Sequence, residues 1–110
     1  MQREARRGNT YDGIIMDPPV YGRSPDGKMW KLEENLYGLV NSCMKILSKN
    51  PLFVQINAYT AGFSPYVFSS ILDIAAKKHK LGGSTSCGEI GLMAKSGIVL
   101  PCGMYAVWRK

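Results

Sequence analysis

The residues best suited to chemistry are Asp17, Pro18, Pro19 and Tyr21, which directly follow the apolar run Ile14-Ile15-Met16. Asp17 can accept a hydrogen bond from an amino group or take a proton. The Pro18 carbonyl, fixed by the ring of Pro19 beside it, is a preorganised second acceptor. Tyr21 offers a ring face on which a base can stack. Group transfer to a planar nitrogen or base needs the target held flat and its polar edge paired, and this set supplies both. The same residues also read as a strand end followed by a proline-rich turn, with Asp17 merely capping. Two features favour chemistry over the cap: an apolar strand leads into the motif, and a long aromatic loop follows it.

That loop, Val20 to Lys31, is rich in Gly, Pro, Ser and Asp. Loops of this length inside a compact domain are usually functional or disordered, and Tyr21, Met29 and Trp30 argue against simple disorder. Trp30 fits a lid, a substrate platform or a packing peg equally well. Arg23 is either a phosphate ligand or a solvated loop arginine. His79 reads as a surface residue at a helix end, Cys43 as helix core, and Tyr105 and Trp108 as sheet packing.

The elements that must position these residues alternate. Tyr11–Met16 reads as a buried strand, stopped by two prolines. Leu32–Ser48 is helical, with Leu32, Leu36, Leu39, Val40, Cys43 and Leu47 on one face. Asn50-Pro51 breaks it, and Leu52–Ile56 is a second buried strand. Asn57–Phe63 forms the loop at its carboxyl end. Ser64-Pro65 opens a second helix that runs to about Lys80, with Phe68, Ile71, Leu72 and Ala75 inward. Cys87–Ala94 and Met104–Arg109 read as a closing hairpin, with Leu100–Gly103 as a bulged entry into its second strand. The expected class is α/β: two parallel strands joined by right-handed crossovers, plus a C-terminal hairpin with one antiparallel strand. Ligands in such sheets bind outside the carboxyl ends of the strands. Here those ends are Asp17–Tyr21 and Asn57–Thr60.

The 110 residues give room for one domain. No apolar run approaches the roughly 20 residues of a membrane span, and the charged N-terminus is no secretory signal, so the expected compartment is the cytoplasm. Three cysteines without a C-x-x-C argue against a disulfide framework and a zinc site. Reduced thiols are expected, although a Cys87–Cys102 contact across the hairpin is geometrically open. The net charge of +6 fits either a polyanionic partner such as nucleic acid or a basic protein with none. Arg3, Arg6 and Arg7 precede the first strand, and Arg23, Lys28 and Lys31 follow it.

YDGIIMDPPVYGR resembles the fourth strand and motif IV of class I S-adenosylmethionine (SAM)-dependent methyltransferases that modify nucleic acids. It is especially similar to bacterial proteins related to 23S rRNA large-subunit methyltransferases. KMWKLEENL, PLFVQINAYTAGFSP and GEIGLMAKSGIVLPCGMYAVW continue the resemblance in order, covering Arg6 to Trp108. It implies the C-terminal half of a Rossmann-like methyltransferase domain over residues 1–110. It also implies an antiparallel last strand inserted between Leu52–Ile56 and Cys87–Ala94. Asp17, Pro18 and Pro19 would lie at the reaction centre, with Asp17 and Pro18 also beside the cofactor, SAM. Tyr21, Arg23, Trp30 and Asn57 would face the substrate, expected to be RNA.

Two departures from that family matter. No Gly-x-Gly occurs in the chain, so the glycine-rich cofactor loop is missing, and with it the acidic residue that grips the ribose. No cysteine stands at either strand end, so direct transfer to a nitrogen or oxygen is expected rather than a covalent C5 mechanism. The isolated chain is therefore expected to bind SAM weakly, and to self-associate through the Tyr11–Met16 edge left unpaired. Two other classes compete with an RNA methyltransferase part: an inert remnant that binds RNA or a partner protein, and an unrelated α/β binding module with a chance D-P-P.

Overall fold

The computed structural model describes residues 2–23, 26–60 and 62–110. Met1 of the lead-in, Ser24 and Pro25 of the long loop, and Ala61 of the second loop lie outside the described residues. The elements in chain order are α1 (Gln2–Arg7), β1 (Gly13–Met16), β2 (Tyr21–Arg23), β3 (Met29–Lys31) and α2 (Leu32–Lys45), then β4 (Phe53–Ala58), α3 (Pro65–Lys78), β5 (Ser84–Met93) and β6 (Val99–Arg109). The main sheet has four strands in the order β1-β4-β6-β5. β1 and β4 are parallel, and β6 runs antiparallel to both β4 and β5. This is the expected α/β architecture, with the last strand inserted between its two predecessors.

Alternation along the strands builds the core, although Val107, between Ala106 and Trp108, is buried as well. Val54, Ile56 and Ala58 of β4 are buried, as are Ile14 and Met16 of β1 and Ala106 and Trp108 of β6. α2 closes over this face with Leu32, Leu36, Val40 and Cys43, and α3 with Phe68, Leu72 and Ala75. Leu39 and Ile71, expected inward, pack partly buried at the margin. The Ser64 hydroxyl caps α3 by accepting from the Tyr66 amide, with Pro65 in the first turn. The residues between form the other face of the sheet, where Ile15 is 61% exposed. A depression of about 340 Å³ on that face is lined by Ile15, Leu52, Phe53, Gln55, Val107 and Arg109.

Several boundaries differ from expectation, each for a local reason. The first strand is Gly13–Met16 rather than Tyr11–Met16. Tyr11 leaves the ladder and bridges Leu47, with its amide donating to the Ile46 carbonyl and its own carbonyl accepting from Ser48. The lead-in is not featureless, since α1 forms within it. Glu4 accepts hydrogen bonds from the Tyr11 hydroxyl, the Asn9 amide and Arg7, and these donors, Tyr11 first, hold its carboxyl below the usual range. α2 ends at Lys45, short of Ser48, while Ile46 and Leu47 remain buried beyond it. The second strand begins and ends later than expected, at Phe53 and Ala58.

β5 and β6 are also longer than expected. The β4–β6 ladder stops at Ala58–Met104, but β5 and β6 stay paired out to Met93–Val99. An arm therefore projects beyond the carboxyl edge of β4. The register slips where Ile90 faces Gly103 and Gly91 faces Pro101, which makes Cys102 the extra residue of the expected bulge. Cys87 lies opposite Ala106, further down the ladder, so it does not face Cys102 and no disulfide forms. At the start of β5, Gly83 has φ +75° and abuts the Arg109 carbonyl, so neither the backbone conformation nor the space accepts a side chain.

Candidate functional site

The parallel register pairs Met16 with Ile56, so Asp17 leaves the sheet beside Asn57, which is still in β4 and faces Tyr105 of β6. β1 ends there because Pro18 and Pro19 lack the amide hydrogens needed to extend the ladder. Asp17 is exposed, and among the described residues its carboxylate makes no hydrogen bond that would mark it as a cap. It is free to meet a ligand. Asn57 is half-buried, and its side-chain oxygen accepts from Gln55 Nε2 at 2.9 Å. That bond orients the Asn57 amide group so that its N–H donors stay available.

Most of the long loop is a small antiparallel hairpin of β2 and β3, with Tyr21 opposite Lys31, Gly22 opposite Trp30 and Arg23 opposite Met29. Directly opposite residues share a face. Tyr21, Arg23, Met29 and Lys31 thus form one face, and Trp30 points to the other. Tyr21 is 76% exposed. A depression of about 300 Å³ is lined by Val20, Tyr21, Met29, Lys31 and Glu33. Trp30 packs against the core, and its indole N–H donates to the Pro19 carbonyl at 2.7 Å. The Leu32 amide donates to the Val20 carbonyl at 2.8 Å. These two bonds tie the hairpin to the turn that carries Asp17.

The structure thus brings Asp17, Pro18, Pro19, Tyr21 and Asn57 to one edge, with Arg23 on the hairpin face beside Tyr21. Trp30 lies behind the motif rather than over it. Lys31 and Met29, which sequence reasoning left as loop residues, join Tyr21 and Arg23. The alternation Tyr-Gly-Arg and Met-Trp-Lys around Asp26-Gly27 is the signal that would have found them, since Asp-Gly is a strong hairpin turn pair. Tyr59 was also passed over. Its ring lies over Gly103, where an added Cβ would come within 2.6 Å of it. On the same side of the sheet the Tyr105 ring covers Gly88.

The remaining candidates lie elsewhere. α3 runs back from the carboxyl edge, so His79 at its C-terminal end sits at the opposite edge, against Asn41 Oδ1 at 2.6 Å. Burial, then Lys78 and Lys45, lower its pKa. Cys43 is buried in α2, and burial pushes its thiol up to about 11, which suppresses the nucleophilic thiolate. The Cys102 thiol is directed to the Ile90 carbonyl at 3.4 Å within the arm. No group of three His, Cys, Asp or Glu able to hold a metal occurs among the described residues. Among them, too, no helix is long and apolar enough to cross a membrane.

The Trp30–Pro19 bond can be tested directly. Trp30→Phe keeps the ring and removes the donor. It is expected to cost about 1 kcal/mol of stability and to speed tryptic cleavage at Arg23 and Lys28, with cleavage elsewhere unchanged.

A comparison with protein-family models finds no match, and a comparison with curated proteins finds none either. Solved structures do match. A SAM-dependent methyltransferase from Agrobacterium tumefaciens superimposes with a TM-score of 0.86 and 32% identity over 98% of this chain, which covers 36% of that protein. SMU.776, a candidate methyltransferase solved in complex with SAH, matches with a TM-score of 0.61 and 17% identity over 97% of this chain and 28% of its own. A candidate SAM-dependent methyltransferase from Streptococcus mutans gives 0.56 and 16%, over 97% of this chain and 27% of its own. The latter two show the fold alone. The chain spans about a third of the length of the solved proteins it matches.

Proposed function

We propose that these residues form the substrate side of a SAM-dependent methyltransferase, with most of the cofactor grip lying outside them. The observation that carries this is the 32% identity with the Agrobacterium enzyme over nearly the whole chain, taken with the Asp17–Asn57 edge. The SAH complex of SMU.776 supports SAM as the methyl donor.

The residues present fit only part of such a cofactor. Asp17 and the Pro18 carbonyl can face its methyl end. Along the outer edge of β1, where further strands would have to supply the rest, there is a depression of about 320 Å³ lined by Glu4, Tyr11, Gly13, Ile14, Ile15 and Ile46. Among the described residues it has no glycine-rich turn, and its one carboxylate there, Glu4, is already bonded. No step through the cofactor is derived from these residues.

What the chain itself does is hold the acceptor. Asp17 pairs an amino group or takes its proton, the Pro18 carbonyl pairs a second donor, and Asn57 donates to an acceptor on the same planar edge. Tyr21 stacks, while Arg23 and Lys31 on its face suit phosphates. This set fits RNA, with transfer to a nitrogen or oxygen.

Calorimetry on the 110 residues is expected to show SAM binding no tighter than about millimolar. Labelled methyl transfer to ribosomal RNA is expected only once a glycine-rich cofactor half is joined to them. Micromolar binding by the 110 residues alone would sink the incomplete-site reading. A completed protein that binds SAM but leaves ribosomal RNA unlabelled would sink the RNA assignment.

A further inference from the structure

The arm formed by the ends of β5 and β6 carries an unusual surface. Leu92 faces Leu100 on one side of it, Met93 faces Val99 on the other, and Ile98 lies at the turn. All five are between 52% and 71% exposed. They lie on both faces of the arm, so apolar side chains flank the strand edge above and below it. Between Glu89 and Met104 the only charged residues are Glu89 at the base and Lys95 at the tip.

The edge that the arm presents is equally open. β5 is the terminal strand of the sheet, ten residues long, with one charge and no proline. Proteins usually blunt such edges with lysine, proline, bulges or short strands. The slip at Ile90/Gly91 puts its extra residue on β6, which leaves the β5 edge continuous. By contrast, β1 at the other end of the sheet is only four residues long.

We propose that two copies of this chain pair their arms through the outer edges of β5, antiparallel about Leu92, into one continuous sheet. Glu89 and Lys95 each stand three residues from Leu92. A two-fold there sets each Glu89 against the partner copy's Lys95 and each Leu92 against its counterpart. The surface is therefore complementary to itself in charge, as a two-fold interface requires. Edge pairing of this kind is held by main-chain hydrogen bonds, with Leu92 and Met93 of each copy beside the seam. One lysine on an otherwise apolar arm is a poor match for a phosphate backbone. The association needs neither cofactor nor methyl acceptor. It joins the molecules at the carboxyl edge of the sheet, where Asp17 and Asn57 also lie, so two candidate sites come to lie on one assembly.

Sedimentation velocity on the 110-residue chain, with charge variants, tests this. Wild type is expected to be dimeric at micromolar concentration. E89K and K95E are each expected to weaken the dimer about tenfold, and the E89K/K95E double variant to restore it. Leu92→Asp, at an exposed position that leaves the core intact, is expected to give monomers. A wild-type monomer at high concentration would overturn the proposal. So would single charge variants without effect, or a double variant no better than either single. Dissociation by Ile15→Lys with Leu92→Asp still dimeric would move the contact to β1 and overturn it as well.

Discussion

Asp17→Ala is expected to lower methyl transfer by about 10²–10⁴-fold in a protein completed with its cofactor half, leaving the thermal midpoint where it was. The size follows from the role: a group that pairs or deprotonates the acceptor acts in the transition state, and its loss lowers kcat rather than raising KM alone. The unchanged midpoint follows from the structure, because Asp17 is exposed and its carboxylate bonds nothing among the described residues. Asp17→Asn separates the two roles. Asparagine still accepts a hydrogen bond, so a pairing Asp17 leaves that variant well above Asp17→Ala, whereas a proton-taking Asp17 leaves the two equal. A lowered midpoint with an unchanged rate would return Asp17 to the bland role of a turn residue.

The largest effect on stability is expected at Trp108. It is 1% exposed and lies in β6 between Val54 and Thr85. Its indole N–H donates to the Gly82 carbonyl at 2.8 Å, which pins the turn that leads from α3 into β5. Trp108→Ala removes the ring and that bond together, at a cost of about 3–5 kcal/mol. A domain of this size has only about 5–15 kcal/mol in all. Urea titration is expected to show a much lower midpoint, or no cooperative transition. Trp108→Phe, which loses chiefly the hydrogen bond, should fall between that variant and wild type. A midpoint for Trp108→Ala within about 1 kcal/mol of wild type would show that the sheet does not depend on this residue.

How far the sequence could be read depended on where each element finds its stabilisation. β1 and β4 are apolar and bounded by prolines or polar turns, so their existence and parallel pairing followed from local pattern. The adjacency of Asp17 and Asn57 then followed from the crossover between them. The place of β6 in the sheet came from family resemblance, since no local signal says which strand a hairpin inserts beside. α1 was missed because Glu4 is held partly by Asn9 and Tyr11, partners outside the helix. β2 and β3 are so short that their alternation carries weight only once Asp26-Gly27 is read as the hairpin turn between them. The β5 side of the arm was legible, since the expected strand ran to Ala94, but β6 begins at Val99 rather than Met104, because its apolar residues fall on both faces and alternation fades where the core ends. For the site, Tyr21 and Arg23 were legible as chemistry. That Met29 and Lys31 share their face, and that Trp30 turns away to hold Pro19, depended on the hairpin.

The position of β6 also bears on how the protein is made. Of the four strands in the main sheet it is the last to leave the ribosome, yet it lies between two that emerge earlier. Until it arrives, β4 and β5 have no common neighbour, and β4 presents a naked apolar edge. The nascent chain must therefore wait, unfinished, for the segment that contains Trp108. Over that interval its exposed strands are open to chaperones, or to one another on adjacent ribosomes.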